Sequence, residues 1–445
     1  MDVGRKDQAL EIYKMIYQMN NNRREFIKMS ALTGMGIAGS GNILNAMGAE
    51  TSPQKIKKTI LSNLQEQQSL IGQYGPWATG ENSKNLPSHS FRNPDWKQHK
   101  KWQRTAKKVT IDRMGLRDTG PIPQVVIKKE YDYDGLHIEE QTWQLPYGRA
   151  TEAILLKPAN ATGTLPGILA FHDHGGNKYF GTRKITKTSE DQHPLMKSHQ
   201  EHYYSGTAWA NEVAKKGYVV LVSDSFTFGS RRVMLQDVPE HLRNGLSDEN
   251  PEEEKNIVAY NNWASDHEHV MAKSLFCAGT TWPGVFFAED RVALDILSAR
   301  KDVDASKIGC CGLSGGGLRT DFMAGLDERI KCAVSVGFMS TWNDFALNKS
   351  FTHTWMTYVP MLPRELDFPE ILGLRAPLPT LVLNDIDDQL YTIDQMRAAD
   401  EILKQVFEKA GAPDRYKGSF YPGPHKFDTD MQKEAFDWFD RWLKG

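Results

Sequence analysis

The sequence predicts an α/β protein, a mostly parallel sheet with helices on both faces, and three observations lead there. From residue 165 onward, short apolar runs alternate with helix-length amphipathic stretches, the pattern of strands buried on two sides. The pentapeptide Gly312-Leu313-Ser314-Gly315-Gly316 stands between one such run, residues 307–311, and a helix-compatible stretch over 318–326. Further along, an aspartate and a histidine each follow an apolar run, Asp388 after residues 378–383 and His425 after residues 419–421.

At 445 residues the chain has room for one large domain with insertions, or for two domains. Lysine plus arginine (54) nearly balance aspartate plus glutamate (56), so no global field points to nucleic acid or to an anionic membrane. The basic run at 97–108, with Trp96 before it and Trp102 inside it, reads as a solvated helix face, because no nucleic-acid-binding signature accompanies it. The four cysteines, Cys277, Cys310, Cys311 and Cys332, form no CxxC pair, and three of them sit in apolar runs where a free thiol behaves as a small hydrophobe.

At the amino terminus, Arg23-Arg24-Glu25-Phe26-Ile27-Lys28 precedes an uncharged, glycine- and alanine-rich stretch at 29–39. Residues 1–49 resemble a twin-arginine export signal, although Asn22 stands where serine or threonine is usual. The apolar stretch is too short for a stable membrane span. The expected partner is therefore the twin-arginine export machinery, and the expected location periplasmic or secreted. Residues 50–121 read as a helical extension: Ile56, Ile60, Leu61 and Leu64 recur at helical spacing, and the apolar content is too small for a separate core.

Residues 122–445 carry the sheet. Strands are expected at 124–128, 137–145 and 150–157, separated by Asp134-Gly135 and Tyr147-Gly148 turns, an antiparallel entry. A strand at 167–171, a helix at 208–216 stopped by Gly217, and a strand at 218–222 follow. A helix at 286–300 with Ala288, Val292, Leu294 and Leu297 on its apolar side leads to the strand before Ser314. Strands at 332–336, 378–383 and 419–421 and a terminal helix at 431–443 complete an order that fits an α/β-hydrolase sheet. Two insertions interrupt it. In the first, 227–282, Asn250-Pro251-Glu252-Glu253-Glu254 reads as a helix start with Asn250 as its cap. The second, 340–375, is rich in tryptophan, phenylalanine, methionine and proline. Insertions at the carboxyl ends of strands commonly wall an active-site mouth.

A serine hydroxyl attacks only when a base can take its proton and a carboxylate holds that base in the right tautomer. Ser314 is the expected nucleophile, His425 the base and Asp388 the acid, with Asp385 and Asp387 close enough to compete for the acid's place. Charge developing on the carbonyl oxygen calls for two backbone N–H groups. Gly315 offers one, and the loop His172-Asp173-His174-Gly175-Gly176 offers the other, from His174 first or Gly175 second. A rival reading makes His172, Asp173 and His174 a metal site together with His199 and His202, but it leaves the glycine pair unexplained. The preferred chemistry calls for neither metal nor organic cofactor. Arg231-Arg232 is either a pocket flank or surface charge.

The run Phe171 to Gly176 with Lys178-Tyr179-Phe180-Gly181, the Gly312 to Gly317 turn, the Asp388 loop and Tyr421-Pro422-Gly423-Pro424-His425 together resemble a bacterial branch of the α/β-hydrolases grouped with dienelactone hydrolases and acetyl xylan esterases. The likeness covers roughly residues 125–445. It implies the roles just given to Ser314, Asp388 and His425, and a sugar acetyl ester, free or on an oligosaccharide, as substrate. Trp342, Trp355 and Tyr358 then become candidates for stacking on sugar rings or for a self-packed lid. A serine peptidase on the same fold and a non-catalytic carbohydrate-binding protein are the rival functions.

Overall fold

Cys310 and Cys311 are neighbours on one strand, point to opposite sides, and are both fully buried in different apolar clusters, so the sheet that carries them is covered on both faces. The computed structural model describes residues 69–83 and 85–445. The Arg23-Arg24 motif and the expected helix of Ile56, Ile60, Leu61 and Leu64 lie outside the described residues.

The sheet has nine strands in the order β1-β2-β3-β5-β4-β6-β7-β8-β9. β1 (Val126–Tyr133), β2 (Leu136–Trp143) and β3 (Thr151–Pro158) form the antiparallel entry, and β3 joins β5 (Val219–Ser223) antiparallel as well. From there β4 (Leu165–Phe171), β6 (Val303–Leu313), β7 (Ile330–Val336), β8 (Thr380–Asp385) and β9 (Tyr416–Tyr421) run parallel. Strand order reverses at β4, which lies between β5 and β6. The loops leaving β4 and β6 therefore depart in different directions and open a crevice at the carboxyl ends. Register brings those ends level: Phe171 pairs with Gly312, Leu313 with Val336, Val336 with Leu383, and Asp385 with Tyr421.

One face is covered by α6 (Trp282–Ser298), α7 (Gly315–Leu326), α8 (Phe368–Gly373) and α9 (Ile393–Lys409), which contribute Phe286, Leu294, Phe322, Ile371 and Leu403 to the larger core. The other face is covered by α4 (Trp209–Lys215) and α10 (Thr429–Phe439), through Trp209, Val213, Phe436 and Phe439. A third cluster joins α5 (Glu254–Cys277), through Ile257, Tyr260 and Trp263, to Tyr179, Phe180 and Met196, the last on α3 (Pro194–Tyr204).

Ahead of the sheet lie α1 (Tyr74–Ser83) and α2 (His99–Met114). The basic run on α2 is amphipathic: Trp102, Ala106, Thr110 and Met114 are buried, while Lys100, Lys101 and Lys108 are exposed and Lys107 is half-buried. Trp102 stacks on Phe91 at 4.3 Å and donates to the His89 carbonyl at 2.6 Å, and Gln103 donates to the Leu374 carbonyl at 2.6 Å. This segment is thus fastened to the larger core rather than free. Among the described residues, no helix is long and apolar enough to cross a membrane.

Asn250 does not cap a helix. It sits at φ +45°, its carbonyl accepts from the amide of Glu253 at 3.1 Å, and α5 begins after Glu253. Asparagine tolerates the left-handed region, so here it makes a turn, and Glu252 is left to bond Tyr179 and Arg183.

Candidate active site

Ser314 occupies the bend between β6 and α7 at φ +59°, a conformation that costs a non-glycine residue free energy and persists only where the surroundings enforce it. The enforcement is visible. The Ser314 amide donates to the Val336 carbonyl at 2.8 Å, and its carbonyl accepts from Leu318 at 2.9 Å in the first turn of α7. At Gly316 a Cβ would run into the Phe171 carbonyl oxygen and stand 3.2 Å from the His172 oxygen, so only glycine lets the β4 loop come this close. Gly315 opens α7, and the first amides of a helix have no intrahelical acceptor. A Cβ built on Gly315 would lie 2.9 Å from the His174 nitrogen, which puts the two backbones suggested by the sequence side by side.

His425 follows β9, and its Nδ1 donates to Asp388 Oδ2 at 2.6 Å. Asp388 is held in turn by the Leu390 amide on its other oxygen at 2.9 Å. With Nδ1–H committed to the carboxylate, the neutral imidazole keeps its lone pair on Nε2. That nitrogen is buried and has no hydrogen-bond partner among the described residues. The ring packs against the end of β7: at Gly337, φ +58°, a Cβ would stand 2.9 Å from His425 Cε1. Val336 and Gly337 thus carry the Ser314 amide and the imidazole on consecutive residues. Burial pulls the His425 pKa down, but the Asp388 charge and hydrogen bond, aided by Asp385 and Asp173, outweigh it and leave the pKa raised.

The three neighbouring aspartates are now distinguishable. Asp385 ends β8, accepts from the Lys426 amide at 3.0 Å, and is pushed up to about 7 by burial. Asp387 accepts from the Gly423 amide at 3.0 Å. Asp388 alone of the three hydrogen-bonds His425. The nearest ligand atoms of Asp385, Asp388 and His425 lie within 4.8 Å of one another.

The loop after β4 is braced through every side chain. His172 Nδ1 lies 3.1 Å from the Asp173 carbonyl; Asp173 Oδ1 takes His199 Nε2 at 3.0 Å and the Tyr204 hydroxyl at 2.5 Å. His174 Nε2 lies 2.8 Å from Glu268 Oε1, and its Nδ1 accepts from the Gly176 amide at 3.0 Å. Asp173 thus pairs with His199, His174 with Glu268 and His172 with a backbone carbonyl, and the ligand atoms of these residues and His202 do not converge into one metal cluster. Gly175 adopts φ +50° directly above Asp173 and His199.

Glu268, on α5, is the site's main surprise. It is buried, pairs with Lys178 and His174, and its second oxygen accepts from the Thr354 hydroxyl at 2.7 Å and the Trp355 amide at 3.1 Å. Burial opposes its charge, but Lys178 and His174 prevail and hold the carboxyl well below its ordinary range. One side chain thus ties the β4 loop to both inserted segments. Of the three aromatics that could stack on sugars or form a self-packed lid, Trp342 is buried in the larger core against Phe345 and Phe368 and bonds the Leu366 carbonyl, whereas Trp355 is 38% exposed and Tyr358 half-buried. Arg231 is not surface charge. It is buried and paired with Glu289 at 2.6 Å.

No protein-family model matches the chain. YtaP of Bacillus subtilis (strain 168), provisionally named a hydrolase, is 26% identical over 331 residues, 74% of this chain and 95% of that protein. Among solved structures, a Bacteroides fragilis protein provisionally assigned as an acetyl xylan esterase superposes with TM-score 0.59 at 17% identity, over 79% of this chain and 83% of the other. A methylesterase, BT1017, gives 0.53 at 16% over 85% and 70%, and a glucuronoyl esterase from Solibacter usitatus 0.52 at 15% over 78% and 92%. The chain has the α/β-hydrolase fold.

Proposed function

We propose that this α/β-hydrolase is an exported serine esterase that cleaves a carboxylic ester through an acyl-serine intermediate, with an acetylated saccharide as its substrate. The observation that carries the reading is the strained Ser314 bend, with an Asp388-bonded imidazole packed on the adjoining strand end and the backbones of Gly315 and His174 in contact. In this reading Ser314 Oγ attacks the ester carbonyl and gives its proton to His425 Nε2. The oxygen's developing charge faces the amides of Gly315 and His174. The imidazolium then protonates the departing alcohol, and a water deprotonated by the same nitrogen releases the acid. The carbohydrate part of the reading is supported by the names of the structural neighbours and by the exposed edge of Trp355.

Mass spectrometry of acetylated oligosaccharides tests it. The wild type is expected to remove acetyl mass and Ser314→Ala to lose about a million-fold in rate. Equal loss of acetyl with both proteins would remove Ser314 from the mechanism. Methyl and glucuronoyl esters in the same panel ask whether the sugar sits on the alcohol or the acyl side. Turnover of aminoacyl amides with no preference for esters would favour the peptidase alternative, and a wild type inert to all of them would favour a carbohydrate-binding role. Export is tested by changing Arg23 and Arg24 to lysine, which is expected to leave the protein in the cytoplasmic fraction.

A further inference from the structure

Lys184 ends a short 3-10 turn, Thr182–Lys184, and its side chain is fully buried beneath the loop that follows β4. A buried ammonium is costly unless its protons are all engaged. Here they are aimed at backbone: Nζ donates to the carbonyl of Asp173 at 2.7 Å and to that of His174 at 2.9 Å. Asp173 Oδ2 stands 3.7 Å away as counter-charge, and the Phe228 ring lies 4.7 Å from the ammonium. The turn that presents Lys184 is itself tied down, the Thr182 amide donating to Asp224 Oδ1 at 2.7 Å and the Lys184 amide to the Gly181 carbonyl at 3.0 Å.

Peptide planarity turns this contact into a statement about the other side of the loop. In a trans peptide the carbonyl and the following N–H point in opposite directions. Drawing the Asp173 oxygen down to Lys184 turns the His174 N–H away from it, and drawing the His174 oxygen down does the same to the Gly175 N–H. The upper side of the loop is where the His174 nitrogen meets Gly315, next to Ser314. The Asp173 carbonyl also faces His172 Nδ1 at 3.1 Å and the His174 carbonyl also accepts from the Asn177 amide at 3.0 Å, but Lys184 is the donor the two share and the one that brings a charge, and it polarises both peptide dipoles in the sense that favours negative charge above them.

We propose that Lys184 is a positioning residue that fixes the amides of His174 and Gly175 toward the oxyanion formed at Ser314. The inference rests on the esterase reading, and its test separates the two. Full-length Lys184→Met, Lys184→Gln and Lys184→Arg are compared with wild type for kcat and KM on a short-chain nitrophenyl ester, for affinity toward a trifluoromethyl ketone that forms a charged hemiketal, and for thermal unfolding. Lys184→Met is expected to lose about a hundredfold in kcat or more, with KM little moved and ketone affinity falling by the same factor as kcat/KM. Lys184→Gln, which keeps one donor group, is expected to fall in between and carries the comparison if the Met variant does not fold. Lys184→Arg is expected to recover part of the loss. A folded Met or Gln variant with wild-type kcat and ketone affinity would overturn the proposal, as would a loss of kcat with unchanged ketone affinity. A wild type with no ester turnover and no ketone binding would overturn the esterase reading, and this inference with it.

Discussion

Two histidine–aspartate pairs stand on the carboxyl-end side of the sheet, their aspartates in the loops after β8 and β4, and they are bonded in different ways. Asp388 gives one oxygen to His425 Nδ1 at 2.6 Å and the other to a backbone amide, leaving His425 Nε2 buried and without a partner among the described residues. Asp173 takes His199 and Tyr204 on one oxygen and faces Lys184 with the other. Burial works against the Asp173 charge, but His199 and Lys184 hold its carboxyl well below the usual range. On the proposed mechanism the first pair holds a proton acceptor and the second is a brace. What separates them is position: the His425 ring packs on Gly337, next to the Val336 carbonyl that holds the Ser314 amide, whereas Asp173 also takes Tyr204 and faces Lys184.

The largest test of that contrast is Asp388→Asn against Asp173→Asn. The first is expected to cost about ten-thousandfold in kcat, because an amide at 388 favours the wrong imidazole tautomer. The second leaves Lys184 facing a neutral group, with an expected loss of about 3–5 kcal/mol in unfolding free energy and a far smaller loss of rate per folded molecule. Chemical denaturation alongside kinetics separates the two, and an equal loss of rate in both variants would break the comparison.

The pH profile gives a smaller effect with a definite sign. Protonated His425 cannot accept the serine proton, so kcat/KM should rise with pH as the imidazole deprotonates. Because the His425 pKa is raised, that limb should lie above the ordinary histidine value of 6.5. Asp388→Asn is expected to move the limb downward as well as lowering its plateau. The smallest effect belongs to Asp385→Asn. Asp385 also raises His425, and burial brings its own carboxyl up to about 7. Its loss should move the limb down by less than Asp388→Asn does and leave the plateau near wild type. A plateau loss as large as that of Asp388→Asn would make Asp385 the acid.

The sheet was legible because its strands are short apolar runs bounded by turn residues, and because Cys310-Cys311 and similar pairs can both be buried only in a strand covered twice. The placement of Ser314, Asp388 and His425 could be read from motif and order, since each follows a strand whose end the parallel register aligns. Contacts that depend on distant partners were not legible. Glu268 sits on a helix whose neighbours at 266, 267 and 269 are polar, and only the docking of that helix on the β4 loop buries it. Arg231 finds Glu289 far along the chain, and Lys184 finds two carbonyls that no side-chain pattern records. Asn250 misled because asparagine serves both as a helix cap and as a left-handed turn residue, and the chain uses the second property. For Trp342 the sequence left stacking and self-packing open, because a tryptophan in an aromatic-rich insertion carries no sign of which way it packs; it packs on Phe345 and Phe368 of that insertion.

The central claim is that Ser314 is made nucleophilic by its bend and by the imidazole of His425. Labelling the folded protein with a fluorophosphonate and mapping the adduct by peptide mass spectrometry tests it most directly. The account predicts one adduct, on Ser314, formed much more slowly in His425→Ala. A folded wild type that forms no adduct, or carries it on another residue, would contradict it.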